Sequence, residues 1–252
     1  NLAITNDASS DFRDGINGLD GDLSYIFLNN LYIHHIDEMG LNFTNISHST
    51  ITNCQIEYCG FGSIGGPEGT TGWQDVVVSD CELSYSGHYY QGMMDNPALP
   101  YDRPDGIGLE ASDGPVSVID CSVEHNRGDG VDLKTQNSLV EGCIIANNYG
   151  DGLKLWGRGS SAVNCVIYGT GDGDVDSPWC PVVIDQVDDA GADFVLKNLT
   201  VHDNPLRRSY SIYSQYNYPV PLELDIINCT FSDAYGVAYF GDSVDVNIVN
   251  SN

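Results

Sequence analysis

Residues 120–167 carry one short motif three times: Asp120-Cys121-Ser122-Val123, Gly142-Cys143-Ile144-Ile145 and Asn164-Cys165-Val166-Ile167. The cysteines of these copies are 22 residues apart in both intervals. Further copies start at Asn53, Asp80 and Asn228, and two weaker copies with leucine in place of cysteine start at Asn30 and Asn198. Self-similarity at a short fixed period is typical of solenoid proteins, in which each repeat stacks on the next.

The segments between the motifs alternate apolar and polar residues over a few positions and break at glycine, asparagine or aspartate. None of them keeps a helical apolar period, which excludes the helical solenoids. Three short strands and three turns fit into about 22 residues, the size of one β-helix coil. The sequence therefore predicts an all-β fold, a right-handed parallel β-helix of about eight coils that forms one domain over residues 1–252. Because such coils are about 4.8 Å apart, equivalent residues line up in columns along the helix axis.

Six of the eight cysteines occupy one inward position of the repeat, where leucine replaces them in the weaker copies. We interpret them as small buried hydrophobic residues. Cys59 and Cys180 lie outside this column, and the sequence leaves open whether they pair. Asn126 and Asn148 follow their cysteines by five residues and are expected at left-handed turn positions.

The chain has 36 acidic and 9 basic residues and a formal net charge of −27, which argues against nucleic acid as a partner. No apolar run approaches the roughly 18 residues of a membrane span, and we expect neither a membrane span nor a signal-like stretch. Neither end offers a cap for the exposed coil edges. We therefore expect a monomer with flanking domains, excised from a longer secreted or cell-surface protein. A surface this acidic repels anions, so an anionic substrate would depend on local cations or a metal ion.

The interval after Cys81 contains an inserted loop, residues 87–104, which includes His88, Tyr101 and Arg103. Long loops on a rigid scaffold commonly carry function. We expect this loop to form one wall of a groove beside the following coils. The alternative is a loop that only covers a sheet.

Three successive coils place an aspartate followed by glycine at the same strand entry, namely Asp105, Asp129 and Asp151. The same register makes Asp132 and Lys154 vertical neighbours. Asp-Gly is also an ordinary turn signal, so a purely structural column remains open. Stacking like charges about 4.8 Å apart is unfavourable unless a partner neutralises them, and a hard cation with oxygen ligands would do so.

Seven of the nine basic residues are expected on or beside this strand face: Arg103, Arg127, Lys134, Lys154, Arg158, Arg207 and Arg208. A positive strip on an acidic molecule is typical of a site for the carboxylates or sulfates of a polysaccharide. Bases that only balance neighbouring acids are the alternative. The candidate substrate-binding residues, whose aromatic members offer flat surfaces for sugar rings, are Lys134, Trp156, Arg158, Arg103, Tyr101, His88 and Arg208.

At these residues the sequence resembles the pectin-lyase-like β-helices and, among them, the calcium-dependent polysaccharide lyases of family 9. That family shows an Asp-Gly coil, an Asn-x-x-Asp-Gly-x-Asp-Leu coil and a coil with Gly-Phe-Lys-Leu-Gly. The corresponding stretches here are Pro104-Asp105-Gly106, Asn126-Arg127-Gly128-Asp129-Gly130-Val131-Asp132-Leu133 and Gly152-Leu153-Lys154-Leu155-Trp156-Gly157. The resemblance implies that Asp105, Asp129 and Asp132 bind Ca²⁺ and that Lys154 is the catalytic base. A more distant similarity, by analogy of fold and composition, is to the archaeal disaggregatases.

One position departs from the family pattern. The family usually has two consecutive aspartates before the glycine, whereas this chain has Gly128-Asp129. With one carboxylate fewer, Ca²⁺ would bind more weakly, recruit Asp151 or water, or be absent.

The chemistry of the residues agrees with a lyase. In β-elimination at a uronate the C5 proton leaves and negative charge builds up on the carboxylate, which Ca²⁺ would stabilise. Lys154 would take the proton, with its pKa lowered by Ca²⁺, Lys134 and Arg158. We therefore expect a polysaccharide lyase that acts on an acidic, uronate-containing polysaccharide, has an alkaline optimum and loses activity with chelator.

Three alternatives remain open from the sequence. A glycoside hydrolase on the same scaffold would use Asp105 and Asp151, about 9.6 Å apart from the coil spacing, near the upper end of inverting geometry. A C5-epimerase would share the proton abstraction and leave the chain length intact. A non-catalytic carbohydrate-binding surface module would bind sugar without turnover.

Overall fold

Regular structure in the computed structural model consists of β-strands alone over the residues that it describes, 2–6, 12–204 and 206–252. The strands wind into nine coils of a right-handed parallel β-helix, which confirms the predicted fold class. The prediction of about eight coils missed the first, which starts with Leu2 paired in register with Leu31. None of the described residues belongs to a helix long and apolar enough to cross a membrane.

The strands follow one another in chain order with short turns between them. Those of the first three coils are β1 (Leu2–Thr5), β2 (Ile16–Ser24), β3 (Phe27–Asn29), β4 (Leu31–Ile36), β5 (Met39–Thr52), β6 (Gln55–Cys59), β7 (Gly62–Gly66) and β8 (Trp73–Ser79). Those of the next three are β9 (Glu82–Ser84), β10 (Tyr89–Tyr90), β11 (Met93–Met94), β12 (Asp105–Ser112), β13 (Val116–Ile119), β14 (Ser122–Glu124), β15 (Val131–Thr135), β16 (Leu139–Glu141), β17 (Ile144–Ala146), β18 (Leu153–Leu155) and β19 (Ser160–Val163). Those of the last three are β20 (Val166–Tyr168), β21 (Val182–Ile184), β22 (Ala192–Lys197), β23 (Thr200–His202), β24 (Tyr210–Ser214), β25 (Leu222–Ile227), β26 (Thr230–Ser232), β27 (Gly236–Phe240) and β28 (Val244–Val249).

The strands form two large parallel sheets and one hairpin. The strands that follow the cysteine motif form a nine-stranded sheet: β1, β4, β6, β9, β14, β17, β20, β23 and β26. A 17-stranded sheet covers the other two sides of the coils. Its part made by β7, β12, β15, β18, β21, β24 and β27, with the starts of β2 and β5, is called the site sheet below. Strands β10 and β11 pair antiparallel inside the predicted loop 87–104.

The residue that opens each motif adopts a left-handed backbone conformation. Its φ lies between 51° and 68° at Asn30, Asn53, Asp80, Asp120, Gly142, Asn164, Asn198 and Asn228. Asparagine, aspartate and glycine are the residues that tolerate this conformation best, which explains why one of them precedes the cysteine or leucine of every motif.

Asn126 and Asn148 are not the left-handed residues of their turns, so that prediction is wrong. Positive φ occurs one residue earlier, at His125 (58°) and Asn147 (53°). Both asparagines are buried instead. The Asn148 side chain accepts the Asn126 N–H and donates to the Val123 carbonyl. They bond the backbones of neighbouring coils, because the turn directs them inward.

The cysteine column forms part of the hydrophobic core, as predicted. Its members are at most 3% exposed and are Cys54, Cys81, Cys121, Cys143, Cys165 and Cys229, with Leu199 filling the gap. Cys59 and Cys180 are buried free thiols and do not pair with each other. Ile107, Val131 and Leu153, which alternate with the floor-facing residues of the Asp-Gly strands, are fully buried. The predicted register is therefore confirmed, and the residues between them face outward.

Candidate active site

The outward residues of the site sheet form one column along the helix axis, here called the floor column. Each member pairs in register with its neighbour in the next coil, in the order Asn17, Asn42, Gly65, Gly108, Asp132, Lys154, Val183, Tyr213 and Tyr239. Asp132 and Lys154 are vertical neighbours at its centre, as the sequence register predicts. The charged residues of the column therefore meet in the middle of the molecule.

The three Asp-Gly aspartates form a second column beside the first. The N–H of Asp129 donates to Asp105 Oδ1, that of Asp151 to Asp129 Oδ1, and that of Cys180 to Asp151 Oδ1, each at 2.7 Å. The column thus has a structural role, because one oxygen of each carboxylate bonds the backbone of the next coil. The second oxygen of each remains for other partners.

Asp105, Asp129 and Asp132 form a carboxylate cluster whose ligand atoms all lie within 4.8 Å of one another. Asp129 and Asp132 are buried, and Asp132 Oδ1 has no hydrogen-bond partner in the part of the chain that the structure describes. A buried carboxylate oxygen without a partner is costly. Hard cations such as Ca²⁺ take carboxylate oxygens as ligands, so the cluster fits such an ion. Asp151, the fourth predicted ligand, is not part of this cluster.

Lys154 lies against the carboxylate cluster. Its Nζ is 2.8 Å from Asp132 Oδ2, 3.3 Å from Asp129 Oδ2 and 4.7 Å from the ring centre of Trp156. Lys134 Nζ lies 2.6 Å from Glu110 Oε1 and 3.7 Å from Asp132 Oδ2. The two lysines are the ammonium groups that neutralise the cluster.

Burial and mutual repulsion raise the pKa of the clustered acids. Desolvation, then the charges of Asp129 and Asp132, place the pKa of Asp105 well above its usual range. Desolvation and Asp129 raise the pKa of Asp151 to about 7. Burial also raises the pKa of Asp132, against the opposing charges of the lysines. Such a site gains stability from any added positive charge.

Lys154 differs from the sequence expectation of a lowered pKa. Burial does lower the pKa of its ammonium, but the charges of Asp132 and Asp129 act the other way and outweigh it. The net pKa lies above the usual value of a lysine. The contacting carboxylates outweigh burial because Asp132 and Asp129 lie within 3.3 Å of the ammonium.

Gly128, where the chain departs from the lyase family, lies too close to its neighbours for a side chain. A Cβ added there would lie 2.3 Å from Asp105 Oδ1 and 2.5 Å from the Arg103 carbonyl oxygen. The same applies to Gly150, whose Cβ would lie 2.3 Å from Asp129 Oδ1. The missing carboxylate thus follows from the close stacking of the aspartate column.

Two open cavities flank the carboxylate cluster along the floor column. The N-terminal cavity has a volume of about 390 Å³, and its lining includes Arg13, Glu38, Asn42, Asp105, Glu110 and Lys134. The C-terminal cavity has a volume of about 470 Å³, and its lining includes Arg103, Asp151, Lys154, Trp156, Trp179 and Arg208. The cluster and Lys154 therefore lie in a groove that continues on both sides of them.

The predicted substrate-binding residues divide into two groups. Lys134 lines the N-terminal cavity, and Trp156, Arg103 and Arg208 line the C-terminal cavity. The others lie outside both cavities. Tyr101 stacks on Phe61, His88 bonds Asp95, and Arg158 pairs with Asp188.

The predicted strip of seven bases is partly wrong. Arg207 is 1% exposed, and its guanidinium pairs with Asp203. The guanidinium also donates to the carbonyls of Ser177 and Trp179, so it is held inside a loop and does not face the groove. Arg127 pairs with Asp95 and lies outside both cavities. Four of the seven bases line the groove, namely Arg103, Lys134, Lys154 and Arg208.

Several groove residues escape sequence reasoning. Arg13 was expected elsewhere but lines the N-terminal cavity, where Glu38 holds it through two hydrogen bonds of 2.8 Å. Trp179 lines the C-terminal cavity, with the Arg103 guanidinium 5.4 Å from its ring centre. The long interval from Cys165 to Leu199 is the signal for the loop that carries Trp179. Nothing in the sequence signals the role of Arg13.

Comparisons with solved structures find similar folds among polysaccharide enzymes. The A-module of a mannuronan C-5 epimerase from Azotobacter vinelandii has a TM-score of 0.55 at 11% identity, over 100% of this chain and 72% of that chain. An alginate lyase from Paenibacillus sp. str. FPU-7 has a TM-score of 0.52 at 12% identity, over 89% of this chain and 77% of that chain. At these identities the likeness is one of fold. No curated protein matches the sequence.

The family comparison covers more than half of the chain. The model of the right handed beta helix region matches residues 101–252, which include the aspartate column, Lys154 and the C-terminal cavity. The chain therefore belongs to the right-handed β-helix region family.

Proposed function

We propose that this chain is a polysaccharide lyase that cleaves a uronate-containing polysaccharide by β-elimination. Ca²⁺ would be held by Asp105, Asp129 and Asp132, and Lys154 would be the base. The observation that carries the proposal is the contact of one lysine with two of three clustered carboxylates, on the floor of a groove. The similar folds of an epimerase and a lyase with uronate polymers in their names support the substrate class.

The groove geometry supports an endo-acting enzyme, which binds an internal segment of the polymer chain. The two cavities continue along the axis on either side of Lys154, so a chain bound there has sugars on both sides of the reacting residue. Aromatic walls such as Trp156 and Trp179 offer flat faces to sugar rings. A polymer is too large to enter a cell intact, and we include a secreted or cell-surface location in the proposal.

The chemistry assigns distinct roles to the chain's own residues. Asp105, Asp129 and Asp132 would hold a divalent cation, which would supply positive charge for the substrate carboxylate, where negative charge builds up as C5 loses its proton. Lys154 Nζ takes that proton as the neutral amine, the form that a cation at the cluster would favour because it offsets the charges of Asp132 and Asp129 that raise the pKa of the lysine. The electron pair of the C5–H bond forms the C4–C5 double bond, the C4–O4 bond breaks, and O4 takes up a proton from the Lys154 ammonium or from water. Lys134 remains beside Asp132 and keeps that carboxylate oriented.

A second candidate, an inverting glycoside hydrolase, is favoured by one observation. The pKa of Asp151 is raised to about 7 by burial and by Asp129, which is the property of a general acid at neutral pH, and Asp151 lines the C-terminal cavity. This candidate leaves the contacts of Lys154 unexplained, so we rank it second.

The products of a polymer digest test the proposal. The purified chain is incubated with alginate and with polygalacturonate in CaCl₂, and ultraviolet absorbance and new reducing ends are followed together. A lyase gives both in equal number, because each elimination leaves one conjugated double bond. Reducing ends without absorbance would establish the hydrolase instead. Solvent deuterium at C5 without shortening of the chain would identify an epimerase.

A further inference from the structure

The two halves of the floor column differ in chemistry. On the N-terminal side of Asp132 the column consists of amides and glycines, Asn17, Asn42, Gly65 and Gly108. On the C-terminal side of Lys154 it consists of Val183, Tyr213 and Tyr239. The rings of Tyr213 and Tyr239 stack with centres 5.2 Å apart. One half of the floor is polar and small, and the other is aromatic.

The cations of the N-terminal cavity already have partners. Arg13 forms two hydrogen bonds with Glu38, and Lys134 bonds Glu110. Glu68 lines the same cavity and adds further negative charge. An anionic sugar would meet more carboxylates than free cations there, which disfavours its binding.

Of the three cations that line the C-terminal cavity, Lys154 contacts the carboxylate cluster and the two arginines do not, while Asp151 and Asp185 are the acids of its lining. Arg208 is exposed and has no hydrogen-bond or ion-pair partner among residues 2–6, 12–204 and 206–252. The Arg103 side chain is 49% exposed, and its Nε lies 3.8 Å from Oδ2 of Asp102, a side chain that is 94% exposed, so water screens this ion pair. Its guanidinium lies over Trp179, a contact that leaves its hydrogen-bond donors available.

We infer that the groove is polarised: the C-terminal cavity binds an anionic sugar through the guanidinium groups of Arg103 and Arg208, and the N-terminal cavity binds an uncharged sugar. This inference rests on the proposed function. The anion is a uronate carboxylate, because a planar guanidinium fork matches a planar carboxylate in two parallel hydrogen bonds. The preferred substrate is then a heteropolymer in which uronate lies on the C-terminal side of the reacting residue and neutral sugar on the other.

The tryptophans provide a direct readout of this cavity. Of the three in the chain, Trp73 is 1% exposed in the core, whereas Trp156 and Trp179 both line the C-terminal cavity. Ligand binding there alters the fluorescence of two tryptophans and leaves the third as an internal constant.

The test titrates the wild-type chain in EDTA with three oligosaccharides of equal length, an oligouronate, a sulfated neutral-sugar oligosaccharide and an unmodified neutral one. We expect the oligouronate to bind most tightly and to lose affinity with added NaCl. Arg208→Gln is expected to weaken oligouronate binding about tenfold, since it removes a charge-assisted hydrogen-bond pair. The matched control Arg13→Gln is expected to leave it unchanged.

Three results would overturn the inference. These are equal affinity for the neutral oligosaccharide, equal or tighter binding of the sulfated one, and an equal loss of affinity in Arg13→Gln and Arg208→Gln. Failure of the lyase proposal is recognised separately, because product absorbance is not part of this titration. A chain that releases no unsaturated product and still binds oligouronate through Arg208 keeps the polarised groove and loses the elimination chemistry.

Discussion

Two columns of acidic residues stack in register along this β-helix, one buried and the other exposed to water. Asp105, Asp129 and Asp151 stack at the edge of the site sheet, where Asp129 and Asp151 are buried and each column member accepts a backbone N–H. On another side of the coils Asp193, Glu223 and Asp245 stack in register on β22, β25 and β28, and all three are exposed. Water screens the exposed column, whereas the buried one depends on protein groups or an ion.

The difference shows what makes a carboxylate column a candidate site. Acidic side chains recur along this chain because the surface tolerates them, so a column of acids is not informative by itself. Beside the buried column lie the orphaned oxygen of Asp132, the contacts of Lys154 and a cavity on each side, none of which accompanies the exposed column.

The largest effect is expected from Lys154→Ala. Removal of the base lowers kcat on the polymer by about 10²–10⁴-fold, the usual contribution of a positioned proton acceptor. The matched control is Lys197→Ala, because Lys197 is exposed on β22 and lies outside both cavities. Initial rates of absorbance increase measure both variants. Equal rates for Lys154→Ala and the wild type would remove Lys154 from the mechanism.

Ca²⁺ is expected to stabilise the folded chain through the buried cluster alone. Saturation at 100 times Kd adds about 2.7 kcal/mol to the free energy of unfolding, seen as a rise in Tm. Asp132→Asn removes most of this rise because it takes away a cluster carboxylate, and Glu223→Gln in the exposed column keeps it. Thermal unfolding with and without CaCl₂ measures the effect. An undiminished rise in Asp132→Asn would place the ion elsewhere.

Gly128→Asp restores the family pattern and is expected to destabilise this chain. The added side chain meets Asp105 Oδ1 and the Arg103 carbonyl, and such overpacking costs about 1–3 kcal/mol. Gly21→Asp is the matched control, since a Cβ at Gly21 meets nothing within 4 Å, and it is expected to change stability by at most about 0.5 kcal/mol. Urea unfolding distinguishes them. A stabilised Gly128→Asp variant would show that the column has room for the second carboxylate.

The pH dependence of metal-free stability reports on Asp151 of the buried column. Folding raises the pKa of Asp151 from 3.8 to about 7, so the folded chain binds this proton more tightly than the unfolded chain. The resulting stabilisation is complete below about pH 4 and is lost as the pH rises through 7. In EDTA we expect the free energy of unfolding to fall by about 2–3 kcal/mol between pH 5 and pH 8, where the folded chain releases this proton. Asp151→Asn should flatten this decline, and a rise in stability over that range would contradict it.

The fold was predictable because its determinants repeat. Each coil needs a left-handed residue and a small buried side chain at the same place, so Asn164-Cys165 carries the same information as Asn53-Cys54. An ambiguous residue in one copy of the motif therefore does not change the prediction, because the other copies still give the register. Asn126 shows the limit of this reasoning, since a shift of one residue exchanges a turn position for a buried one.

The site was predictable only where it follows the register. Asp132 and Lys154 are neighbours because their strands are, and this contact could be inferred from the 22-residue spacing. The loops have no repeat spacing from which the contacts of their side chains could be inferred. Arg207 has the same charge as Arg208 but is buried against Asp203, and the sequence cannot distinguish a buried ion pair from a free cation. Trp179 reaches the cavity through an irregular loop whose path is set by packing.

A crystal grown in CaCl₂ gives the most direct test of the central claim, that three buried carboxylates beside Lys154 form a cation-dependent catalytic centre. The predicted result is one ion with oxygen ligands of Asp105, Asp129 and Asp132 at about 2.3–2.6 Å. Saturating CaCl₂ with no ion at the cluster, and with Lys154 Nζ still bonded to Asp129 and Asp132, would contradict it.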